Sequence, residues 1–172
     1  MTNTRASAAC VIDRVVTGRR SLDAALADGL AGIADARDRA LVQELAYGTL
    51  RWYFRLDAVL GALLNKPLKA RDSDLRCLLL GGLYQLRHMS VPAHAAINET
   101  AECARLLGKP WAVGLINAVL RRFQRERDQL LSELQQTEHR FAHPQWLLDE
   151  IRTDWPAHWR DVVAANNRQA PL

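Results

Sequence analysis

Cysteine is scarce in this chain, and its scarcity argues against two classes of site. The 172 residues include three cysteines, Cys10, Cys77 and Cys103, which lie far apart in the sequence. An odd and widely spaced set is not the disulfide framework of a small secreted protein. No Cys-x-x-Cys pair or Cys/His cluster is present, so the sequence predicts no metal site. We expect three reduced thiols, each buried in an apolar helical segment.

Long apolar runs are missing as well. No run of 18 apolar residues occurs, so the sequence predicts no transmembrane helix and no membrane contact. The N-terminus lacks the order of a signal peptide, because charged residues interrupt its apolar positions. Both observations favour a cytoplasmic protein.

The alternation of apolar and polar residues that marks a half-buried strand is almost absent. Apolar residues instead recur at helical spacing, beginning with the segment 4–16. Ser21 stands where a helix N-cap is expected, and Gly108 with Pro110 separates two consecutive helices. The sequence therefore predicts an all-α fold of about eight to ten helices.

Glycines interrupt two of the leucine-rich helical segments, at Gly48 and at the pair Gly81–Gly82. Each glycine within a helix costs about 1 kcal/mol relative to alanine. We therefore expect a neighbouring backbone to pack tightly against Gly81–Gly82, and either a close helix approach or a bend at Gly48.

Two asparagines, Asn98 and Asn117, lie among apolar residues within the segment 91–126. Apolar residues on nearly all sides are typical of a central, buried helix. Since a buried amide has to find hydrogen-bond partners, each asparagine is predicted to join two elements. Direct contact with a ligand is the alternative.

The residues around these asparagines carry a family resemblance. The blocks are Pro-x-His-Ala-Ala-Ile-Asn-Glu at 92–99, Ala-Glu-x-Ala-Arg at 101–105 and Gly-Leu-Ile-Asn-Ala-Val-Leu-Arg-Arg at 114–122. They resemble the NusB-like helical domain, and more closely its copy at the N-terminus of the Sun/Fmu (RsmB) family. Members of that family are S-adenosylmethionine-dependent 16S ribosomal RNA cytosine C5 methyltransferases. The resemblance extends over roughly residues 4–126.

The resemblance implies a fold and a division of the chain. It implies an RNA-binding bundle of two packed helical subdomains over residues 1–138, followed by a helical connector over residues 139–172. In the family, such a connector leads into the methyltransferase domain, whose first strand is expected near Leu172. The chain is then expected to be the accessory part that positions 16S ribosomal RNA, and to contact the catalytic domain that follows it.

The same resemblance implies that catalysis lies outside this chain. A nucleoside cofactor needs a Gly-rich turn between a strand and a helix, and C5 methylation of cytosine needs a thiolate nucleophile. In the family that cysteine follows Pro or Thr, whereas Cys10, Cys77 and Cys103 follow Ala, Arg and Glu. We therefore expect no catalytic, cofactor-binding or metal-binding residue here, and S-adenosylmethionine to bind elsewhere in the parent protein.

Arginine carries most of the positive charge, since the net charge is +4 and the chain has only three lysines. Arginine forks bind phosphate through two hydrogen bonds, although cations at a helix C-terminus can also remain solvated. The resemblance slightly favours an N-terminal group over a second group, because NusB-like proteins hold RNA with a basic N-terminal region. The candidate RNA contacts are Arg5, Arg14, Arg19 and Arg20 in the first group, and Arg121, Arg122, Arg125 and Arg127 in the second.

Two other functions stay open at this point. One is a stand-alone NusB-type transcription antitermination factor, which would bind RNA together with a protein partner. The other is a helical protein-interaction module without an RNA role. The segments Asp57–Leu60 and Gly82–Leu86 and the Pro-x-Trp-Leu-Leu sequence at 144–148 resemble Sun/Fmu proteins rather than NusB itself.

Overall fold

The computed structural model describes residues 3–169, and nine α-helices account for most of that range. No strand occurs within it, and the all-α fold is confirmed. Short 3-10 helices lie at Ala70–Asp72, Pro110–Ala112 and Glu138–Phe141. The α-helices are α1 (Thr4–Val16), α2 (Leu22–Leu30), α3 (Ala36–Arg51), α4 (Tyr53–Leu63), α5 (Ser73–His88), α6 (Ala93–Leu106), α7 (Val113–Gln135), α8 (Gln145–Asp154) and α9 (Trp159–Asn166).

Local side-chain chemistry determines several helix ends. The Ser21 hydroxyl accepts a hydrogen bond from the backbone N–H of Ala24 at 3.3 Å and starts α2, as predicted. Asp35 accepts from the first N–H groups of α3 in the same way. Gly108 follows α6 with a φ of 72°, the left-handed conformation that glycine adopts without steric penalty. The predicted break between α6 and α7 is therefore confirmed.

Helix α5 is at the centre of the bundle. Helices α1, α2 and α3 pack together, α7 packs with α4 and α6, and α5 contacts both groups, while α1 also contacts α6. Nine of its 16 residues are buried. Seven of these nine belong to a continuous apolar core that extends from Ala8 in α1 to Leu134 in α7. The two groups of helices agree with the two packed subdomains that the resemblance implied.

The position of α5 corrects the expectation for the segment 91–126, since α6 and α7 each bury one face and expose the other. Asn98 is exposed. Asn117 is half-buried, and its Nδ2 donates to the Val113 carbonyl of its own helix at 3.1 Å. Neither asparagine joins two elements, so that prediction was wrong. Neighbours in sequence lie around the whole helix, and only residues three or four apart share its buried face.

Glycine allows close helix packing at three positions, one of which is Gly29 in α2, where a Cβ would lie 2.3 Å from a methyl group of Val11 in α1. A Cβ on Gly48 in α3 would lie 2.0 Å from Cζ of Tyr84 in α5. A Cβ on Gly82 in α5 would lie 2.9 Å from a methyl group of Leu120 in α7. The close helix approach at Gly48 is confirmed. Gly82 is also closely packed, but against side chains of Leu120 and Thr100 rather than the expected backbone, whereas Gly81 faces open space.

The residues that follow α7 form a second, smaller unit, which we call the tail unit (138–169). Its 3-10 helix packs against α4 and α7 of the bundle, and α8 packs against α9. The Phe141 and Trp159 rings meet edge to face, with their centroids 5.0 Å apart. The buried residues of its core are Leu148, Ile151 and Val163. Over residues 3–169, every helix is too short or too polar to cross a membrane.

Candidate nucleic-acid interface

The N-terminal arginines do not form one patch, because Arg5 faces the bundle. Its side chain is only 12% exposed. Its Nε donates to Oε1 of Gln85 in α5 at 2.8 Å, and its guanidinium pairs with Glu99 in α6. Arg5 therefore connects α1 to α5 and α6.

The other three N-terminal arginines gather where α1 ends and the chain turns toward α2. Arg14 and Arg20 both pair with Asp28, at 3.4 and 2.5 Å. Arg19 is exposed, with a φ of 50° that is unusual for a residue with a side chain. Because two guanidiniums share one carboxylate, the group keeps a positive charge. We call Arg14, Arg19 and Arg20 the loop cluster.

Helix α7 divides the second arginine group between two sides. Arg121 and Arg125 are both exposed, and a spacing of four residues places them on one face. Arg121 lines a cleft of about 290 Å³ between α6 and α7, together with His94 and Asn98. A ligand in this cleft would therefore meet the exposed amide of Asn98 beside a cation.

Arg122 points toward α4 instead. Its Nε pairs with Glu126 at 2.9 Å, and its Nη1 donates to the Leu63 carbonyl at 3.1 Å. Arg122 therefore stabilises the packing of α7 on α4. Arg127 is exposed near the end of α5, where its Nη1 lies 3.5 Å from the Leu86 carbonyl.

A third basic group, which the sequence analysis missed, lies between the bundle and the tail unit. It surrounds a groove of about 420 Å³, and no carboxylate in the described range lines it. The groove brings together residues more than 100 positions apart in the chain, so no spacing in the sequence could have indicated it. We call it the junction groove. Its aromatic and basic lining residues are Trp52, Arg55, Arg140, Phe141, Arg160 and Arg168.

Arg55 is the most buried cation of the junction groove. The residue is 7% exposed, and its guanidinium carbon lies 6.0 Å from the centre of the Trp52 ring. Its Nε and Nη2 are buried, and neither has a hydrogen-bond partner within residues 3–169. Burial lowers the pKa of Arg55, because desolvation disfavours the charged form.

Two further arginines add positive charge beside Arg55. The Nε of Arg87 is also buried without a partner among the described residues. Burial lowers the pKa of Arg87 to about 10, and the charges of Arg55 and Arg127 lower it further in the same direction. Unlike Arg5 and Arg122, neither Arg55 nor Arg87 forms an ion pair with a carboxylate of the described range.

His88 responds to the same charges. Its ring stacks on Trp52 and on Tyr84, with centroids 5.0 and 5.1 Å apart. Partial burial of the ring, followed by the charges of Arg87, Arg55 and Arg127, lowers its pKa to about 4. His88 is therefore neutral near pH 7 although the residue is exposed.

The three thiols are poorly suited to act as nucleophiles. Cys77 and Cys103 are buried, as predicted, while Cys10 is half-buried. Burial raises the pKa of Cys77 to about 12 and that of Cys103 to about 11, and it also raises the pKa of Cys10. Since the thiolate is the reactive form, none of these sulfurs is activated near neutral pH.

The residues present do not fit S-adenosylmethionine either. A site of that kind is built on a strand, a Gly-rich turn and a helix, and residues 3–169 form no strand. The two glycines with positive φ, Gly32 and Gly108, each follow the end of a helix. No cluster of His, Cys, Asp and Glu suited to a metal ion occurs in the same range.

Comparison with known proteins identifies the bundle. The family model described as "NusB family" matches residues 2–125. The chain belongs to the NusB family. That match includes α1 to α6 and the first half of α7, and it confirms the resemblance seen in the sequence. A second model, described as "Methyltr_RsmF/B-like, ferredoxin-like domain", matches residues 143–172, which include α8 and α9.

Three curated relatives that match nearly the whole of this chain share the name "Ribosomal RNA small subunit methyltransferase B". The protein of Pseudomonas putida is 48% identical over 171 residues, which are 99% of this chain and 39% of that protein. The protein of Pseudomonas syringae pv. tomato is 48% identical over 174 residues (99% and 38%). That of Vibrio vulnificus is 45% identical over 172 residues (99% and 40%). The chain therefore spans about two fifths of the length of these relatives.

Proposed function

We propose that this chain is the RNA-binding part of an S-adenosylmethionine-dependent methyltransferase that modifies cytosine C5 in 16S ribosomal RNA. The observation that carries the proposal is the similarity, over nearly the whole chain, to proteins named as small-subunit ribosomal RNA methyltransferases. The chain would hold the RNA, and the cofactor and the nucleophile would belong to a catalytic domain outside residues 1–172. The reaction would take place in the cytoplasm.

The division of labour within the chain is part of this proposal. The bundle, over residues 1–138, would contact RNA, and residues 139–172 would lead to the catalytic domain and contact it. The division is supported by the separate apolar cores of the bundle and the tail unit.

Within the bundle, we assign the principal phosphate contacts to the loop cluster. Its guanidiniums lie at the surface and outnumber the one carboxylate that pairs with them. Arg121 and Arg125 on α7 form a secondary contact surface, because both are exposed. Arg5 and Arg122 have internal partners, so they position helices and contribute less to RNA affinity.

Salt dependence of RNA binding tests the assignment. Each phosphate contact contributes about 0.7–0.9 to the slope of log affinity against log salt. We expect the double variant Arg19→Ala/Arg20→Ala to reduce the slope by about 1.4–1.8 and to weaken all sequences alike. Fluorescence anisotropy with a small-subunit RNA hairpin measures the slope. The matched control is Arg37→Ala/Arg71→Ala, which removes two exposed arginines outside the proposed contacts.

Two results would contradict the assignment or the function. An unchanged slope in the loop-cluster variant, with a reduced slope in Arg121→Ala/Arg125→Ala, would move the interface to α7. No binding of the parent chain at low salt would favour a protein-interaction module instead.

We also expect the chain by itself to transfer no methyl group. Its thiols are held in the unreactive protonated form, and no described segment fits the cofactor. Incubation with labelled S-adenosylmethionine and unmethylated small-subunit RNA should leave the RNA unlabelled, while a full-length relative labels it in parallel. Label transfer that depends on Cys10, Cys77 or Cys103 would show that catalysis occurs here.

A further inference from the structure

We propose that the junction groove is a second RNA contact, in which Arg55 binds a phosphate group of the backbone. The inference rests on the proposed RNA-binding function and extends it to a site that includes the tail unit. The groove shares no residue with the loop cluster, so the two sites can be tested separately.

The first argument is the unsatisfied side of the Arg55 guanidinium. Nε and Nη2 are buried and have no hydrogen-bond partner within residues 3–169. Their N–H groups point in parallel from one edge of the guanidinium, and this edge binds two oxygens of an oxyanion at once. A buried charge without a partner lowers the stability of the folded state. A bound oxyanion would offset this cost at Arg55. Both atoms are shielded from water, so binding requires Arg55 to turn this edge toward the groove that it lines.

The second argument is the charge around Arg55. Arg87 and Arg127 lie close enough to lower the pKa of their basic neighbours. The tail unit adds Arg160 and Arg168, both exposed, and no carboxylate of the described range lines the groove. A concave surface with one sign of charge concentrates the opposite charge from solution. The positive charge of the groove therefore favours the binding of an anion.

The third argument is the kind of anion that the groove suits. A volume of about 420 Å³ is in the range of small-molecule sites and exceeds what one phosphate group needs. Trp52 and Phe141 line the groove beside the arginines. Arginine and aromatic side chains together are the surface on which RNA-binding proteins hold backbone and base. An acidic protein segment would need the arginines but not the aromatic rings, so we favour RNA.

Inorganic phosphate provides the first experiment. We expect the melting temperature of the 172-residue chain to rise with phosphate relative to chloride at equal ionic strength, because a ligand that binds only the folded state stabilises it. Arg55→Met should abolish this rise. In chloride alone, Arg55→Met should melt no lower than the parent, since a buried unpaired charge has been replaced by an apolar side chain. The control Arg37→Met removes an exposed cation and should keep the full response to phosphate.

A second variant tests the groove even if Arg55→Met fails to fold. Arg160→Gln/Arg168→Gln changes only exposed side chains of the groove. It should reduce the response to phosphate without lowering the melting temperature in chloride. If both variants keep the full response, the groove is not an anion site and the inference is wrong.

RNA provides the second experiment and separates this inference from the proposed function. Arg55→Met should reduce the salt slope for a small-subunit hairpin by about one. An unchanged slope in Arg55→Met, with a reduced slope in Arg19→Ala/Arg20→Ala, would contradict the junction groove alone. No RNA binding by the parent chain would contradict both proposals. Displacement of phosphate by an acidic peptide but not by RNA would assign the groove to a protein ligand and overturn the inference.

Discussion

The bundle and the tail unit of this chain are stabilised in different ways. The bundle has a continuous apolar core to which α1 to α7 all contribute. The core of the tail unit consists of three buried side chains, and polar contacts supplement it. Arg152, for example, pairs with Glu138 and lies 4.4 Å from the centre of the Trp159 ring. Since a small core supplies little stability, we infer that the tail unit opens more readily than the bundle.

The buried and half-buried arginines of the bundle differ in whether their side chains have hydrogen-bond partners. Inside the bundle, Arg5 and Arg122 have carboxylate and amide or carbonyl partners that account for their positions. By contrast, Arg55 in α4, which lines the junction groove, and Arg87 in α5 have buried nitrogen atoms without partners in the described range. The comparison indicates that Arg5 and Arg122 hold helices of the bundle together, whereas the buried nitrogens of Arg55 and Arg87 make no such contact.

The largest effects are expected from variants that leave a cavity in the core of the bundle or of the tail unit. Phe123→Ala removes a side chain that is 1% exposed in the bundle, and it should lower the free energy of unfolding by about 3–5 kcal/mol. Leu148→Ala removes a fully buried side chain of the tail unit. It should leave the unfolding of the bundle nearly unchanged but expose the tail unit to proteolysis, because local units open independently.

Urea unfolding measures the first variant and limited proteolysis after residue 138 the second. Trp146→Ala, at an exposed position of α8, is the control and should change neither result. If Leu148→Ala lowers the unfolding free energy as much as Phe123→Ala does, the bundle and the tail unit unfold as one unit and the comparison fails.

Close helix packing through glycine is a property of the bundle, since the tail unit contains no glycine. Gly48→Ala places a methyl group against the Tyr84 ring, and it should cost about 1–3 kcal/mol of unfolding free energy. Gly61→Ala is the matched control in α4, where the new methyl group meets open space. It should stabilise the chain by about 0.5–1 kcal/mol. Equal effects in urea unfolding would mean that α3 and α5 tolerate a wider separation.

A smaller effect is expected from one hydrogen bond of the tail unit. Nδ2 of Asn167 donates to the Phe141 carbonyl at 2.9 Å and links the end of α9 to the 3-10 helix. Asn167→Ala should cost about 0.5–1.5 kcal/mol, and hydrogen exchange should show the loss in the tail unit alone. The neighbouring exposed Asn166→Ala is the control. Faster exchange in α5 would show that the two units are coupled.

The smallest effect should appear only when the pH changes. Because the pKa of His88 is lowered to about 4, the folded state remains unprotonated between pH 6.5 and 4, while the unfolded chain takes up a proton. The parent should therefore lose more stability than His88→Phe as the pH falls through this window. Solvent screening at the exposed ring keeps the difference small.

Urea midpoints at pH 7, 5.5 and 4.5 measure this difference, and His94→Phe, at another exposed histidine, is the control. Parallel curves for parent and His88→Phe would show that neither partial burial nor the charges of Arg87, Arg55 and Arg127 lower the pKa of His88. Phosphate that binds the junction groove should reduce the difference, because it offsets the charges that lower the pKa of His88.

The sequence by itself determined the local features of this protein. The helix over residues 4–16, the cap at Ser21 and the break at Gly108 were all predicted, because each depends on residues within one or two turns. The absence of segments with alternating apolar and polar residues was sufficient to predict the all-α fold. Three sequence blocks were sufficient to recognise the family.

Only the tertiary structure decided which faces are buried and which charges are paired. Asn98 is exposed because α5, and not α6, occupies the centre of the bundle. The sequence predicted both Arg5 and Arg19 as RNA contacts. Because α1 packs against α5 and α6, Arg5 alone of the two has partners inside the bundle. The junction groove joins Arg55 to Arg168 across more than 100 residues, and such a contact exists only once the helices have packed.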